Sequence, residues 1–385
     1  MIRKTILLAG GGTGGHVFPA IAVAEAMKSL AEVDVVFCGT ARGLEDRVVP
    51  ERGFRLERLH VLPIKGGGAP RALRGALVAL GATSQSFALV RSLRLSAVLS
   101  VGGYASGPVS LAAALVGTPL ALLEPNSVPG LANRLLAPFA KRAYLGWGEA
   151  AGGFRARSVR RYGVPLRAGF GPRPYTPRGK LVLLVLGGSQ GAAGLNERIP
   201  AVVSRVARSL PVHVVHQAGR GRDASVRESY ARLNVESATV VAFVDDMASA
   251  IADADMVIAR AGAITLAEIA AIGRAAVLVP FPHASDDHQA KNAEALARRG
   301  AAIRLQEADA DVDRLATEIH RLLADDAARV AMADASRHLG RPEAAYDVAA
   351  DLLALAGVGL RERSEGTKTN GIAAPAMQAP AARMA

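Results

Sequence analysis

Two short apolar runs in this chain each end in a cluster of glycines and are followed by a helical pattern. The first run is residues 5–9, with glycines from Gly10 to Gly15, and the second is residues 181–186, with glycines from Gly187 to Gly191. Glycine lets the backbone approach a ligand closely, and a helix start offers unpaired N–H groups and a positive dipole end. Each run therefore predicts a phosphate-binding loop. One such loop in each half of the chain predicts two nucleotide-fold domains that face each other.

Strand-type apolar runs alternate with helical stretches along both halves of the 385-residue chain. This alternation is typical of doubly wound domains with a parallel sheet. We therefore predict the fold class α/β, with two Rossmann-like domains. The predicted strands are residues 5–9, 33–37, 54–60, 97–101, 120–123 and 142–147 in the first half and residues 181–186, 212–216, 239–243, 256–260, 276–280 and 301–305 in the second.

The boundary between the domains is expected within residues 155–180, where glycines and prolines are too frequent for a core element. We predict a first domain of residues 1–165 and a second of residues 166–341. A last helix is predicted within residues 342–357, with Pro342 in its first turn. Residues 358–385 are polar and then rich in alanine and proline, which is typical of a disordered tail.

The chain has a formal net charge of +12, which predicts an anionic partner. An aromatic content of 4% argues against a platform that stacks single-stranded nucleic acid and favours anionic phospholipid or a diphosphate. Cys38 is the only cysteine, so an intramolecular disulfide is excluded and the reducing cytoplasm is expected. The longest apolar region, residues 110–123, is interrupted by Gly117 and Pro119 and is shorter than the roughly 20 residues of a spanning helix. Membrane association is therefore expected to be peripheral.

The first glycine cluster contains Gly10, Gly12 and Gly15 in the spacing of a dinucleotide fingerprint, and Asp34 lies 22 residues beyond Gly12. In that fold, however, the acid that binds ribose lies at the carboxyl end of the second strand. Asp34 begins the predicted strand instead. The pattern therefore argues against a nicotinamide dinucleotide.

His16 follows the first glycine cluster at the start of a helix, where it is expected to face the cleft between the domains. A helix start lowers the pKa of an imidazole and keeps it neutral and basic. Two roles stay open from the residues alone. His16 is either a general base that takes a proton from an attacking hydroxyl, or a group that only hydrogen-bonds a ligand or the backbone.

Two Asp-x-Asp pairs, Asp253 with Asp255 and Asp309 with Asp311, have the spelling of a metal site in sugar transfer. The first pair precedes a predicted strand, at the edge opposite to the usual ligand edge. The second pair has the positions of caps on the following helix. Neither pair is expected to bind a metal.

Two connections in the second half carry clustered polar groups at the ends of predicted strands. Residues 260–268 combine a strand end, a glycine turn and a helix start, and Glu268 is within reach of a vicinal diol. A glutamate in a first helical turn is also ordinary dipole chemistry. Residues 281–292 form the other connection and are rich in hydrogen-bonding side chains, a pattern more often functional than structural.

A basic segment with an apolar stripe lies between residues 64 and 94. It is either a helix packed on its sheet with solvated cations or a surface that rests on anionic lipid, and the high net charge favours the latter. The candidate membrane-surface residues are Lys65, Arg71, Leu73, Arg74, Leu77 and Leu80.

Taken together, these motifs resemble the bacterial peptidoglycan N-acetylglucosaminyltransferases, which add N-acetylglucosamine to undecaprenyl-diphosphate-linked muramoyl-pentapeptide (lipid I) and so form lipid II. The resemblance extends from about Lys4 to about Leu355. It rests on residues 11–20, 102–108, 124–126, 187–191 with Asn196, 243–247, 260–268, and 288–289 with 292–293.

The resemblance implies a glycosyltransferase-B fold whose last helix crosses back to the first domain. It implies an inverting transfer that uses no metal or other cofactor, at the cytoplasmic face of the inner membrane. The implied partners are UDP-N-acetylglucosamine, the lipid-linked muramoyl-pentapeptide and anionic phospholipid, and no nucleic acid.

The same resemblance implies roles for individual residues. The implied catalytic residues are His16 and Glu124, and those near the acceptor and its diphosphate are Gly12, Tyr104 and Ser106. The implied donor-binding residues are Thr13, Gly14, Gly15, Asn126, Arg167, Ser189, Gln190, Val244, Ala263, Ile264, Thr265, Leu266, Glu268, His288 and Gln289.

This chain departs from the family pattern at three places. Leu123 stands where the family commonly has a histidine, Val164 replaces an asparagine of the linker, and the tail after Gly357 has no counterpart. Two alternatives to lipid II formation stay open. One is the same fold with a diacylglycerol or secondary-metabolite acceptor, and the other is a protein that binds nucleotide sugars or delivers lipid precursors without catalysis.

Overall fold

The computed structural model describes residues 3–59, 83–103, 106–154, 159–188 and 191–361, which form two domains around two parallel sheets. The N-terminal sheet has the strand order β3-β2-β1-β4-β5-β6-β7, and every neighbouring pair is parallel. Its strands are β1 Thr5–Gly10, β2 Asp34–Gly39, β3 Arg55–Arg58, β4 Leu95–Gly102, β5 Leu120–Glu124, β6 Arg142–Leu145 and β7 Val159–Arg160.

The C-terminal sheet has the order β10-β9-β8-β11-β12-β13 and is also parallel throughout. Its strands are β8 Leu181–Leu186, β9 Val212–Gln217, β10 Ala238–Val241, β11 Met256–Ala259, β12 Ala275–Leu278 and β13 Ile303–Arg304. The predicted α/β class and each of the twelve predicted strand positions are therefore confirmed.

Helices cover both faces of each sheet, as continuous apolar strands require. In β1, Ile6 and Leu8 belong to one core while Leu7 and Ala9 belong to the core on the opposite face. In the first domain the helices are α1 Gly14–Leu30, α2 Glu45–Glu51, α3 at residues 83–93, α4 Ser106–Leu115 and α5 Leu131–Leu136. In the rest of the chain they are α6 Ala193–Val206, α7 Asp223–Arg232, α8 Met247–Asp253, α9 Ala263–Ile272, α10 His288–Ala297, α11 Val312–Ala324, α12 Asp326–Leu339 and α13 Ala344–Leu355.

The glycine- and proline-rich connection between the domains contributes more to the structure than its sequence predicts. Val159–Arg160 adds strand β7 to the edge of the first sheet, and Val164, Leu166 and Phe170 are buried in a core of the second domain. The stretch thus contributes an edge strand and three buried side chains, which its content of glycine and proline does not predict. Single apolar residues between breakers and a two-residue edge strand carry no periodic signal.

The last helix, α13, packs on the first domain although it follows the second domain in sequence. Val348, Ala349 and Leu352 are buried in the same core as Ile21 of α1. Asp351 also pairs with Arg142 of β6 at 3.3 Å. The chain therefore crosses between the domains twice.

In each sheet the direction in which successive strands are added reverses once, between β1 and β4 in the first and between β8 and β11 in the second. Ligands of doubly wound sheets bind beyond the carboxyl ends of the strands at such reversals. The connections β1–α1, β4–α4, β8–α6 and β11–α9 are therefore the expected site-forming segments. Among the described helices, none is both long and apolar enough to cross a membrane.

A buried polar network lies beneath the β8–α6 connection. His216 of β9 has no exposed surface, and its Nε2 and Nδ1 lie 3.1 Å from Asn196 Oδ1 and 3.0 Å from Tyr230 Oη. The amide of Asn196 donates to the Ala218 carbonyl at 2.9 Å, which holds the start of α6 against β9. Burial lowers the pKa of His216 to about 4, so the imidazole is neutral at pH 7.

This histidine predicts a loss of stability in acid. Because the unfolded imidazole takes up a proton near pH 6.5 and the folded one only near pH 4, stability is lost as the pH falls through that window. Between about pH 7 and pH 4.5, wild type should lose about 2 kcal/mol more unfolding free energy than His216→Gln, whose side chain does not titrate. Urea denaturation at both pH values measures this difference. Equal losses in the two proteins would contradict the assignment.

Candidate active site in the cleft between the domains

The β1–α1 connection forms the first glycine loop. Gly12 has φ +89°, a left-handed conformation that favours glycine, and Thr13 is extended. Helix α1 begins at Gly14, inside the glycine cluster. His16 therefore lies in the first turn, and the amides of Thr13, Gly14 and Gly15 sit at the positive end of the helix.

The β4–α4 connection packs against this loop. Gly102 and Gly103 have φ values of +99° and +88°. A Cβ atom on Gly102 would lie 3.1 Å from His16 Nε2, and one on Gly103 would lie 2.6 Å from the Gly11 carbonyl oxygen. Both positions therefore need glycine for conformation and for space, and they hold the His16 ring beside the loop.

Ser106, expected near the acceptor, is fully buried and donates its hydroxyl to the Gly103 carbonyl at 2.8 Å. Its observed contact stabilises the β4–α4 turn, so the structure does not present this hydroxyl to a ligand. A serine at the start of a helix often bonds a carbonyl a few residues earlier in this way, which the motif alone did not reveal. Tyr104 lies outside the described residues.

The surroundings of His16 favour a neutral imidazole. Burial is the main cause that lowers its pKa below the usual value, and His288 of α10 lowers it further. A hydrogen bond to the Gly11 carbonyl and the Glu45 carboxylate oppose the shift. Phe18, two residues further along α1, lies 5.3 Å from the guanidinium of Arg167 of the second domain, so this end of α1 borders the cleft.

Glu124, at the end of β5, is 3% exposed and is surrounded by donors. Its oxygens accept from the Asn126 amide groups at 3.1 and 3.2 Å, the Gly130 N–H at 2.8 Å and Asn133 Nδ2 at 3.0 Å. Burial raises its pKa, and these hydrogen bonds oppose the rise. The geometry makes Glu124 a group that orients Asn126, because a proton transfer would break bonds that it already makes.

Asn292 of α10 joins the two domains through buried hydrogen bonds. Its Oδ1 accepts from the Ser127 N–H and hydroxyl, each at 2.8 Å. Its Nδ2 donates to Asn126 Oδ1 at 3.2 Å and to the Ala261 carbonyl at 3.2 Å. Asn126 is therefore held from its own domain by Glu124 and from the other by Asn292.

Arg167 pairs with Glu268 inside the second domain and also contacts the first domain. Arg167 Nη2 lies 3.4 Å from Glu268 Oε1, and its guanidinium lies 5.3 Å from the centre of the Phe18 ring of α1. Burial raises the pKa of Glu268 to about 7, although Arg167 opposes the rise. Glu268 is the sixth residue of α9 and not in its first turn, so the dipole explanation of this residue is wrong.

The β11–α9 turn presents its backbone to the cleft. Ala263 and Leu266 are buried, and Ile264 and Thr265 are half-buried. A ligand at this turn would therefore meet mainly the amides of the helix start. Arg260 donates to the Val279 carbonyl at 3.1 Å and to the Pro280 carbonyl at 3.3 Å, which gives it a role in holding the turn.

Glu307 is a residue of this region that the sequence analysis missed. It lies between Arg260, with which it makes a short contact, and Arg198 of α6, at 2.8 Å. Burial alone would raise its pKa, but the hydrogen bonds with the two arginines outweigh that effect and lower it. Glu307 thus connects the β8–α6 and β11–α9 segments, which are remote from it in sequence.

The remaining donor candidates lie along the same edge. Gln289 Oε1 accepts from the Phe281 N–H at 2.9 Å, and Val244 is half-buried beside an exposed Phe243. In the second glycine loop, Gly188 and Gly191 have φ values of +78° and +71°. Ser189 and Gln190 lie outside the described residues, as do the membrane-surface candidates between residues 65 and 80.

The two Asp-x-Asp pairs have ordinary structural partners. Asp255 accepts from the Tyr175 hydroxyl at 2.7 Å and from the Val182 N–H at 2.7 Å, and Asp253 pairs with Arg178 at 3.6 Å. Asp311 caps α11 through the Arg314 N–H at 2.7 Å, as predicted, whereas Asp309 lies in the preceding turn. In the described part of the chain, no group of three or more His, Cys, Asp or Glu side chains is arranged to hold a metal ion.

Comparisons with known proteins agree with this architecture. Residues 6–145 match the glycosyltransferase family 28 N-terminal domain, and residues 182–351 match the glycosyltransferase family 28 C-terminal domain. Over 358 residues the chain is 53% identical to the UDP-N-acetylglucosamine–N-acetylmuramyl-(pentapeptide) pyrophosphoryl-undecaprenol N-acetylglucosamine transferase of Sorangium cellulosum, covering 91% of this chain and 88% of that one. The transferase of the same name from Myxococcus xanthus is 40% identical over 89% of this chain and 91% of its own length.

Among solved structures, the crystal structure of Acinetobacter baumannii MurG superimposes with a TM-score of 0.77 at 32% identity. The alignment covers 91% of this chain and 100% of that one. The likeness therefore includes both domains and the cleft between them.

Proposed function

The chain belongs to glycosyltransferase family 28, and we propose that it transfers N-acetylglucosamine from UDP-N-acetylglucosamine to undecaprenyl-diphosphate-linked muramoyl-pentapeptide, forming lipid II. The observation that carries the proposal is the placement of His16. It lies in the first turn of α1, and Phe18, two residues further on, is 5.3 Å from the Arg167 guanidinium of the second domain. Burial lowers the pKa of His16, so the imidazole is uncharged at pH 7. The donor and the acceptor in this proposal are those in the name of the Sorangium relative.

The donor occupies the second domain in this proposal. Glu268 accepts from the ribose hydroxyls beside Arg167, and Val244 contacts the uracil. The loop with Ser189 and Gln190 and the start of α9 bind the diphosphate, the latter through the N–H groups of Ala263, Ile264 and Thr265. Leu266 lies in the same turn, but its N–H donates to the Gly262 carbonyl at 3.0 Å. His288 and Gln289 contact the sugar, with Asn126 reaching it from the first domain.

The acceptor occupies the first domain. The amides of Thr13, Gly14 and Gly15 at the start of α1 hold its diphosphate, near Gly12. His16 takes the proton of the muramoyl hydroxyl as that oxygen attacks the anomeric carbon of the donor. The bond between this carbon and the diphosphate oxygen breaks, UDP leaves, and the configuration of the carbon is inverted. Helix starts and loop amides stabilise the charge on UDP, and we assign no metal ion to the step.

Membrane attachment is peripheral in this proposal and lies at the cytoplasmic face of the inner membrane. Leu131, Leu135 and Phe139 form an exposed apolar stripe along α5 and the turn after it. Arg134 and Lys141 are exposed beside the stripe. An apolar surface with flanking cations fits anionic phospholipid. Because Arg134 also lies 3.7 Å from Asp286 of the second domain, this surface borders the cleft.

An assay with a chelator tests the function and the role of His16 together. Wild type with UDP-N-acetylglucosamine and a short-chain lipid I analogue should form the inverted product. His16→Ala should lower kcat by about 10²–10⁴-fold, as expected for a lost general base, while donor binding measured by calorimetry stays unchanged.

Donor binding without product in wild type would favour a protein that binds nucleotide sugars without catalysis. Product formed only with another acceptor would favour a transferase with a diacylglycerol or secondary-metabolite acceptor. Unchanged kcat in His16→Ala would remove His16 as the base.

The raised pKa of Glu268 predicts that donor binding weakens in mild acid. The ionised carboxylate accepts two hydroxyl hydrogens, and it becomes protonated as the pH falls through about 7. The affinity for UDP-N-acetylglucosamine should therefore fall about tenfold between pH 8 and pH 6. The donor itself does not titrate in this range, because its diphosphate is linked to the sugar and has no terminal phosphate. Glu268→Gln is the control, and its affinity for the donor should not change with pH. An equal slope in the two proteins would contradict the assignment.

The apolar stripe is tested by vesicle binding. Leu135 is 66% exposed, and Leu135→Glu should weaken binding to vesicles that contain phosphatidylglycerol by about tenfold, the loss of one inserted leucine. Leu233→Glu, at an exposed leucine of the second domain, is the matched control and should bind like wild type. Equal binding by the two variants would rule out the α5 surface as an anchor.

A further inference from the structure

A carboxylate is enclosed inside the first glycine loop. Glu45, the first residue of α2, is 1% exposed. Its Oε2 accepts from the Gly12 N–H at 2.7 Å, and its Oε1 accepts from the N–H and hydroxyl of Thr40 at 2.9 and 3.0 Å. These partners are all donors, so the buried group is satisfied as a carboxylate.

Three glycines make the space for this side chain. A Cβ atom on Gly11, Gly39 or Gly43 would lie 2.2, 2.4 or 2.0 Å from atoms of Glu45. By contrast, a Cβ atom on Gly12 would meet nothing within 4 Å. The absence of a side chain at Gly11 therefore makes room for an internal carboxylate, whereas the glycine pattern alone predicts phosphate binding for the whole cluster.

The enclosure fixes the loop from behind. The Gly12 N–H donates to Glu45, and the Gly12 carbonyl accepts from the Leu44 N–H at 3.5 Å. The β2–α2 segment therefore binds both backbone polar groups of Gly12. Next to Gly12 in the loop, Thr13 places its Oγ1 3.5 Å from His16 Nδ1, and the Gly11 carbonyl and the Glu45 carboxylate both act to raise the pKa of that imidazole. Glu45 is thus linked to His16 through the glycine loop.

The carboxylate also changes where an anion can bind. A free Gly12 N–H would add to the anion-binding capacity of the loop, but Glu45 occupies it and places a negative charge behind it. The amides at the start of α1 remain on the other side, next to His16. An acceptor diphosphate is therefore directed to the helix start and away from the strand end.

From this geometry we infer that Glu45 is a positioning residue that sets the glycine loop, and through it His16 and the acceptor diphosphate, for transfer. The inference rests on the proposed function of the site. Glu45 is then a further residue needed for transfer, and it comes from the β2–α2 segment, which is assigned to neither substrate.

Glu45→Gln tests the inference, because it keeps the size of the side chain but removes the charge and one acceptor. We expect kcat to fall by about 100-fold, as for a misplaced catalytic group, and the KM for the acceptor to rise. The KM for UDP-N-acetylglucosamine should stay within about threefold, since the donor site lies in the other domain. Thr40→Val is the matched control. It loses only the hydroxyl bond to the same carboxylate, and its activity should stay within about twofold of wild type.

Three further variants distinguish positioning of the loop by Glu45 from mere filling of the space that Gly11 leaves. Gly11→Ala places a methyl group against the carboxylate and should reproduce the kinetics of Glu45→Gln. In Glu45→Ala/Gly11→Ala the methyl group enters emptied space, so the melting temperature should recover relative to Glu45→Ala while kcat stays low. These variants also decide the matter if Glu45→Gln is unstable.

Wild-type kinetics in Glu45→Gln, or recovery of kcat in the double variant, would overturn the inference. A wild-type protein that forms no product would instead count against the proposed function. The two failures are therefore distinguishable.

Discussion

The parallel arrangement of both sheets is the constraint on which the rest of the structure depends. Each strand must be followed by a crossover helix, so the ends of the strands and the starts of the helices gather at one edge of each sheet. Here the two edges face each other. The cleft therefore receives helix starts from both domains, and these can bind the diphosphates of two substrates.

Among the described residues, the features that join the two domains include three sets of contacts. Asn292 bonds Ser127 and Asn126 across the cleft, Arg167 lies between Phe18 and Glu268, and α13 returns to the core of the first domain. The first two sets involve residues assigned to the donor. Donor binding and domain approach are therefore expected to be coupled, because the same side chains take part in both.

The sequence predicted the positions of the strands and of the two glycine loops well, because apolar runs and glycine clusters are local signals. It did not predict β7 or the buried side chains of the connection, which depend on neighbours distant in the chain. At the site, His16 and Glu268 lie at the cleft, whereas Glu45, Asn133 and Glu307 were missed. Glu45 could have been noticed, since Gly39, Thr40 and Gly43 precede it at the carboxyl end of a predicted strand. Its role depends on Gly11, which is 34 residues earlier, and only the fold brings the two together.

The central claim is that the donor lies in the second domain with its anomeric carbon directed at His16. A crystal structure with bound UDP-N-acetylglucosamine tests this claim most directly. The account predicts the ribose at Glu268, the diphosphate between the starts of α6 and α9, and the sugar turned across the cleft towards the first glycine loop. A nucleotide bound at the β1–α1 connection, or a sugar turned away from His16, would contradict it.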